Sequence, residues 1–232
     1  VIDIYCRLKL YATYILSRMN NSIVIDSTLC KTTLCDLCSQ TGTDKSPFTK
    51  NNGHRHPYTT PYSLFFEPLR NKPIKFAEIG VYRGASIIAW RQFFPRARIY
   101  GFDIDEQAMQ QIKDYNLPGV FLDKMDASQS DSMEGVFQKY ISDGELFDVI
   151  LDDALHNVDQ HKITIRTCLS KLKQGGLLII EDIFRDHDEK PYVDVMTEMK
   201  DLISFQTFIV CDHKDRYSPG WNNDKLLVIV RA

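Results

Sequence analysis

Two apolar runs that each stop on a pair of acids constrain this chain more than any other feature. Val149-Ile150-Leu151 runs into Asp152 and Asp153, and Leu177-Leu178-Ile179-Ile180 runs into Glu181 and Asp182. A short unbroken apolar stretch is the signature of a strand buried on both faces, as in a parallel sheet covered by helices. In open sheets of that kind, ligands sit beyond the carboxyl ends of the strands. Two neighbouring parallel strands would therefore bring four carboxylates to one sheet edge. His156 follows Asp153 by three residues, and His161 lies five further on. Helix caps or solvated loops account for one such pair of acids; two pairs with a histidine are expected to form a site.

The rest of the chain supports that sheet. Strand-like segments at 75–79, 97–102, 120–122, 147–151 and 177–180 alternate with helical segments, which reads as a doubly wound, mostly parallel α/β sheet. Pro95 stops the first helix, and Ser130 to Ile141 is amphipathic, with Met133, Val136, Phe137 and Tyr140 on one face. Gly175-Gly176 closes the helix before the fifth strand. A helix at 192–202 and two final strands at 205–211 and 226–230 complete a seven-stranded sheet, the last two forming an antiparallel hairpin at one edge. Ile4, Leu8, Tyr11 and Ile15 recur at helical spacing, so 1–25 is expected to be a helix, with a shorter one over 29–39. The domain division that follows is an N-terminal helical extension over 1–40 and one globular domain over 41–232. The polar stretch 41–72 is a loop at the start of that domain, and a loop this long is uncommon unless it binds something or is disordered.

Composition excludes some classes. A net charge of −3 gives no polybasic surface, and no nucleic-acid-binding motif is present. No apolar run reaches membrane-spanning length. Six scattered cysteines suit a reducing, intracellular (cytoplasmic) setting. Cys30, Cys35 and Cys38 lack the matching second pair that a structural zinc site needs. The chain begins on Val1 rather than Met, so upstream domains of a larger protein, trimming and homo-oligomerisation all stay open.

The glycine turn after the first strand, Glu78-x-Gly80-x-x-x-Gly84, lets backbone approach a ligand but does not match the dinucleotide fingerprint. Asp103, with Asp105, ends the second strand, where an acid can take ribose hydroxyls. Asp126, with Ala127 and Ser128, ends the third, within reach of an adenine amino group. A nucleoside without a pyrophosphate fits better than NAD, which points to S-adenosyl-L-methionine. The expected cofactor contacts are Glu78, Gly80, Tyr82, Gly84, Ser86, Asp103, Asp105, Asp126, Ala127, Ser128 and Asp152, with Thr43, Lys45 and Tyr58 from the loop.

With these residues in place, the chain resembles the class I S-adenosylmethionine-dependent methyltransferases. More narrowly, it resembles the metal-dependent macrolide-sugar O-methyltransferases and related sugar O-methyltransferases. Gly42-Thr43-Asp44-Lys45 followed by His56-x-Tyr58-x-x-x-Tyr62 resembles the family's Gly-Thr-Asp-Lys…His-x-Tyr segment. Asp152-Asp153-Ala154-Leu155-His156 resembles its Asp-Asp-Gly-Ser-His motif, and Glu181-Asp182 its Glu-Asp pair. The likeness spans roughly residues 40–185, with Ala154-Leu155 standing where the family has Gly-Ser.

The resemblance implies that Asp153, Glu181 and Asp182 bind Mg2+ or another divalent cation. It also implies that His156 is the general base, with Asp153 beside it in the catalytic pair. A hard cation takes oxygen ligands, and a histidine has the near-neutral pKa that suits proton removal from a hydroxyl. His161 is either a supporting partner or a surface residue, and Lys45 could meet the methionine carboxylate. The expected activity is Mg2+-dependent O-methylation of a sugar hydroxyl on a glycan or glycosylated product. The alternatives are the same chemistry on a catechol-like diol, a non-catalytic cofactor-binding module, and an NAD-dependent oxidoreductase.

Overall fold

The computed structural model describes residues 22–50, 53–142 and 144–232. Most of the expected N-terminal helix lies outside these residues, and its end is corrected: Ser22–Asp26 is a strand. Ile23, Val24 and Ile25 are β-branched and favour extended chain. In chain order the elements are β1 (Ser22–Asp26), α1 (Thr33–Thr41), α2 (Thr59–Phe66), β2 (Lys75–Ile79), α3 (Ala85–Phe93), β3 (Arg98–Asp103) and α4 (Glu106–Asp114). There follow β4 (Val120–Lys124), α5 (Ser130–Ile141), β5 (Phe147–Asp152), α6 (Val158–Cys168), β6 (Leu172–Ile183), α7 (Lys190–Glu198), β7 (Ile203–Asp212) and β8 (Lys225–Arg231).

The strands form one sheet in the order β1-β7-β8-β6-β5-β2-β3-β4. Every pairing is parallel except those of β8, which runs antiparallel between β6 and β7. The sheet thus has eight strands, one more than the sequence reading, because β1 joins β7 and takes the edge position. The strand order reverses between β2 and β5, the switch point where such sheets bind ligands.

Alternation along the strands builds two cores, one on each face. Phe76, Val149, Leu151 and Ile179 pack with Phe66, Trp90 and Phe94 under α2 and α3. Ala77, Ile79, Ile150, Leu178 and Ile180 pack with Phe102, Phe137, Ile165 and Tyr192 under α5, α6 and α7. Gly80 seals the switch point: its φ is +85°, and a Cβ there would lie 2.1 Å from the Asp153 carbonyl oxygen. Only glycine lets the β2 and β5 ends approach so closely. Among the described residues, no helix is long and apolar enough to cross a membrane.

Candidate active site

The same alternation that builds the cores selects which acids meet. Glu78 continues the Phe76 face of β2, Asp153 the Leu151 face of β5, and Glu181 the Ile179 face of β6. All three converge on Lys45, which arrives from the segment between α1 and α2. Its Nζ lies 2.5 Å from Asp153 Oδ2, 2.6 Å from Glu181 Oε2 and 3.3 Å from Glu78 Oε1. The second Glu78 oxygen accepts hydrogen bonds from Ser86 Oγ (2.7 Å) and Trp90 Nε1 (3.1 Å). The second Glu181 oxygen accepts from the Tyr62 hydroxyl.

Asp182 would face the opposite core but for a bulge. Between Ile180 and Ile183 the register against β8 shifts, and Asp182 adopts φ +57°. A bulge re-aims a side chain in this way, and a left-handed non-glycine residue marks local strain. Tyr58 Oη donates to Asp182 Oδ1 at 2.7 Å and also touches the Asn223 carbonyl at 2.8 Å. His156, likewise at positive φ (+52°), places Nδ1 3.3 Å from Asp182 Oδ2 and 4.0 Å from Asp153 Oδ1. That nitrogen is buried without the alignment of a hydrogen bond. Among the described residues, Asp153, His156 and Asp182 form a group that could hold a metal ion, each offering one donor atom within 4.8 Å of the others.

Electrostatics set the character of the cluster. Burial alone would favour a neutral Lys45, but Asp153, Glu181 and Glu78 hold it protonated well above its ordinary range. Burial pushes Glu78 up to about 7 against the pull of Lys45. Burial and then nearby Asp153 hold Glu181 well above the carboxylate range. Asp182 is also raised, chiefly by burial, with His56 opposing. His56 is raised to about 9: burial disfavours its charge, but Asp182 and Asp224 outweigh it. Four carboxyl groups thus crowd around one ammonium and one imidazolium, and a cation bound among them would favour their ionised forms. The clustered carboxylate oxygens of Asp153 and Asp182 fit a hard divalent cation, and His156 stands beside them.

The acids expected to bind the nucleoside lie over β2, β3 and β4. Asp103 Oδ2 accepts from the backbone N–H groups of Val81 (2.9 Å) and Tyr82 (2.8 Å), tying the glycine turn to the end of β3. Its other oxygen accepts from Asp105 N at 2.9 Å. Asp105 caps α4 through Gln107 N and Ala108 N. Asp126 Oδ1 accepts from Ser128 N (2.9 Å) and Ser128 Oγ (2.6 Å), while Ala127 is buried. Tyr82 is largely exposed at φ +44°, and Gly84 is left-handed at the start of α3. Thr43 is buried, its carbonyl accepting from Thr49 Oγ1 at 2.6 Å.

The structure therefore brings Lys45, Tyr58, Glu78, Asp153, His156, Glu181 and Asp182 into one cluster and sets Asp103 and Asp126 to one side. Asp152 points to the other face, fully buried, accepting from Gln160 Nε2 at 2.7 Å; burial lifts it to about 6. His161 is buried there too, with Nδ1 2.9 Å from Tyr192 Oη, and burial drops it to about 3. Cys35 lies 3.1 Å from Thr59 Oγ1 beside the α1 cap, and Cys38 packs in the core. Asp224 had no place in the sequence reading. It is fully buried, 2.8 Å from both His56 Nδ1 and Arg216 Nη1. The polar run Asn222-Asn223-Asp224 directly before an apolar strand was its signal.

A protein-family model described as a methyltransferase domain matches residues 77–183. The chain is 28% identical over 145 residues to mycinamicin VI 2''-O-methyltransferase of Micromonospora griseorubida, covering 59% of this chain and 34% of that protein. It is 28% identical over 137 residues to 8-demethyl-8-(2-methoxy-alpha-L-rhamnosyl)-tetracenomycin-C 3'-O-methyltransferase of Streptomyces olivaceus, covering 56% and 33%. The chain spans about a third of the length of these curated relatives. Among solved structures, MycE methyltransferase from the mycinamycin biosynthetic pathway, in complex with Mg, SAH and mycinamycin VI, superposes with a TM-score of 0.64 at 21% identity. That match covers 88% of this chain and 55% of MycE, and at such identity it is a likeness of fold.

Proposed function

We propose that this chain, a class I S-adenosylmethionine-dependent methyltransferase similar to the macrolide-sugar O-methyltransferases, methylates a sugar hydroxyl of a glycan or glycosylated product with the help of a divalent cation. The observation that carries the reading is the convergence of Asp153, His156 and Asp182 beside the switch point. The activities of the curated relatives, and the Mg and SAH in the MycE complex, support it from outside the chain.

Asp153 and Asp182 would hold the cation, with Glu181 contributing in exchange for the Lys45 ammonium that now neutralises it. When bound, a hard divalent cation would lower the pKa of an acceptor hydroxyl and fix its orientation. His156 removes the acceptor's proton. Its imidazole is a quarter exposed, and the imidazolium it becomes faces Asp182 at 3.3 Å and Asp153 at 4.0 Å. As that proton leaves, the acceptor oxygen bonds to the methyl carbon and the sulfur–methyl bond of the sulfonium breaks. Glu78, beside the glycine turn, and Asp103 and Asp126, over β3 and β4, bind the methyl donor. The acids therefore serve two tasks, separated by the switch point.

Calorimetric titration tests the reading: S-adenosylmethionine binds and NAD does not, with Mg2+ binding observed separately. Binding of NAD in preference to S-adenosylmethionine would overturn it.

A further inference from the structure

On the flank of the acids away from the nucleoside half lies a group of aromatic rings that the mechanism above does not use. Phe184 stacks on His187 (centroids 4.5 Å apart, 21° between planes) and on Trp221 (5.7 Å, 28°). His54 meets Trp221 edge-on at 5.9 Å. Trp221 remains 46% exposed although it is a large apolar ring. Three short tethers fasten the group to the site. Phe184 is two residues beyond Asp182, and His54 two residues before His56, whose Nε2 lies 3.7 Å from Asp182 Oδ1. Trp221 is two residues before Asn223, whose carbonyl shares the Tyr58 hydroxyl with Asp182. Polar groups at the rim are already ordered: Ser218 Oγ lies 3.0 Å from His54 Nδ1 and 2.7 Å from Asn223 Oδ1.

We propose that the exposed face of Trp221, backed by Phe184, is the platform on which the acceptor's pyranose ring stacks, with Ser218 and His54 facing its hydroxyl rim and the buried Asn223 holding Ser218 in place. The inference rests on the function proposed above and names its acceptor surface. A pyranose has an apolar C–H face and a ring of hydroxyls at its edge. A site that matches it needs an aromatic face with a few fixed polar groups beside it. The sheet order supplies the direction of approach. Nucleoside acids lie over β2, β3 and β4, the base and acids over β5 and β6, and the rings over the β6 and β8 ends. A ring seated on Trp221 would therefore approach Asp182 and His156 from the β6 and β8 side, opposite the strands expected to hold the methyl donor, as in-line transfer requires.

Trp221 is one of two tryptophans, and the other, Trp90, is fully buried, so exposed indole fluorescence reports on this surface alone. The test uses the whole protein with S-adenosylhomocysteine and Mg2+, where no turnover occurs. Methyl α-L-rhamnopyranoside should shield Trp221 saturably from acrylamide quenching, and catechol should not. In turnover with the same glycoside, Trp221→Ala should raise KM about tenfold while kcat and S-adenosylmethionine affinity hold, the pattern of lost uniform binding. Phe184→Ala should raise KM in the same way. No shielding by the glycoside, shielding by catechol instead, or an unchanged KM in Trp221→Ala overturns the platform. Shielding without methyl transfer keeps the platform and overturns the proposed reaction, so the two claims fail separately.

Discussion

The ammonium of Lys45 stands 2.6 Å from the Glu181 carboxylate, with both side chains shut off from solvent. A buried ion pair of this kind adds little net stability over a well-packed apolar pair, but removing one partner strands the other. Here the stranded group would sit among three further carboxylates. Lys45 is thus the counter-ion that lets β5 and β6 close with their acids side by side.

Replacing it should expose that role. Lys45→Met should lower the unfolding free energy of the metal-free protein by about 3–5 kcal/mol, the usual cost of an uncompensated buried charge. A divalent cation should restore more stability to the variant than to the wild type, since its acids then have no internal cation. Thermal unfolding with and without Mg2+ checks this, and a variant as stable as the wild type without metal would contradict it.

Asp103 should matter to the methyl donor both directly, at the ribose hydroxyls, and through the glycine turn. Its carboxylate already fixes the Val81 and Tyr82 N–H groups of the glycine turn. Asp103→Ala should weaken S-adenosylmethionine binding by roughly 1.5–3 kcal/mol, the range for hydrogen bonds to a charged group. Asp103→Asn keeps one acceptor oxygen and should fall between. Calorimetry on the three proteins decides; equal affinities would remove Asp103 from the site.

His56 gives a pH dependence with a definite sign. Its folded value is raised from 6.5 to about 9. Its contribution to stability is therefore complete below about pH 6.5 and is lost as pH rises through about 9, on the order of 3 kcal/mol in all. The unfolding free energy of metal-free wild type should fall across that window by more than that of His56→Gln. Parallel curves for the two proteins would show that His56 is not held protonated.

Much of this was legible in the sequence because it depends on short periods. The apolar runs at Val149 and Leu177, and the acids that end them, identify central strands without any contact information. Ser22–Asp26 was absorbed into the helix expected from Ile4, Leu8, Tyr11 and Ile15, although Ile23, Val24 and Ile25 are a β-branched run, and pairing with β7 decides the matter. Residues 41–72 read as a loop because they are polar, yet α2 forms there around Pro61 and two threonines, held by burial of Tyr62 and Phe66. Lys45 meets Asp153 and Glu181 across 108 and 136 residues of chain, and no local spacing encodes such a contact. The bulge that turns Asp182 toward His156 is equally silent, since nothing in Glu181-Asp182 requires a positive φ.

His156 is the proposed general base. Losing a general base typically lowers the rate about a hundred- to ten-thousand-fold. His156→Ala should lower kcat on the true acceptor by that order while leaving S-adenosylmethionine affinity nearly intact. Turnover near that of the wild type would place the base elsewhere.

The most direct measurement is methyl transfer itself, followed by mass spectrometry over a panel of hexose and deoxyhexose glycosides, with catechol alongside. A singly methylated glycoside should form with S-adenosylmethionine and Mg2+, disappear in excess chelator and return when Mg2+ is restored. Full transfer in excess chelator, or methylation of catechol with none of any glycoside, would contradict it.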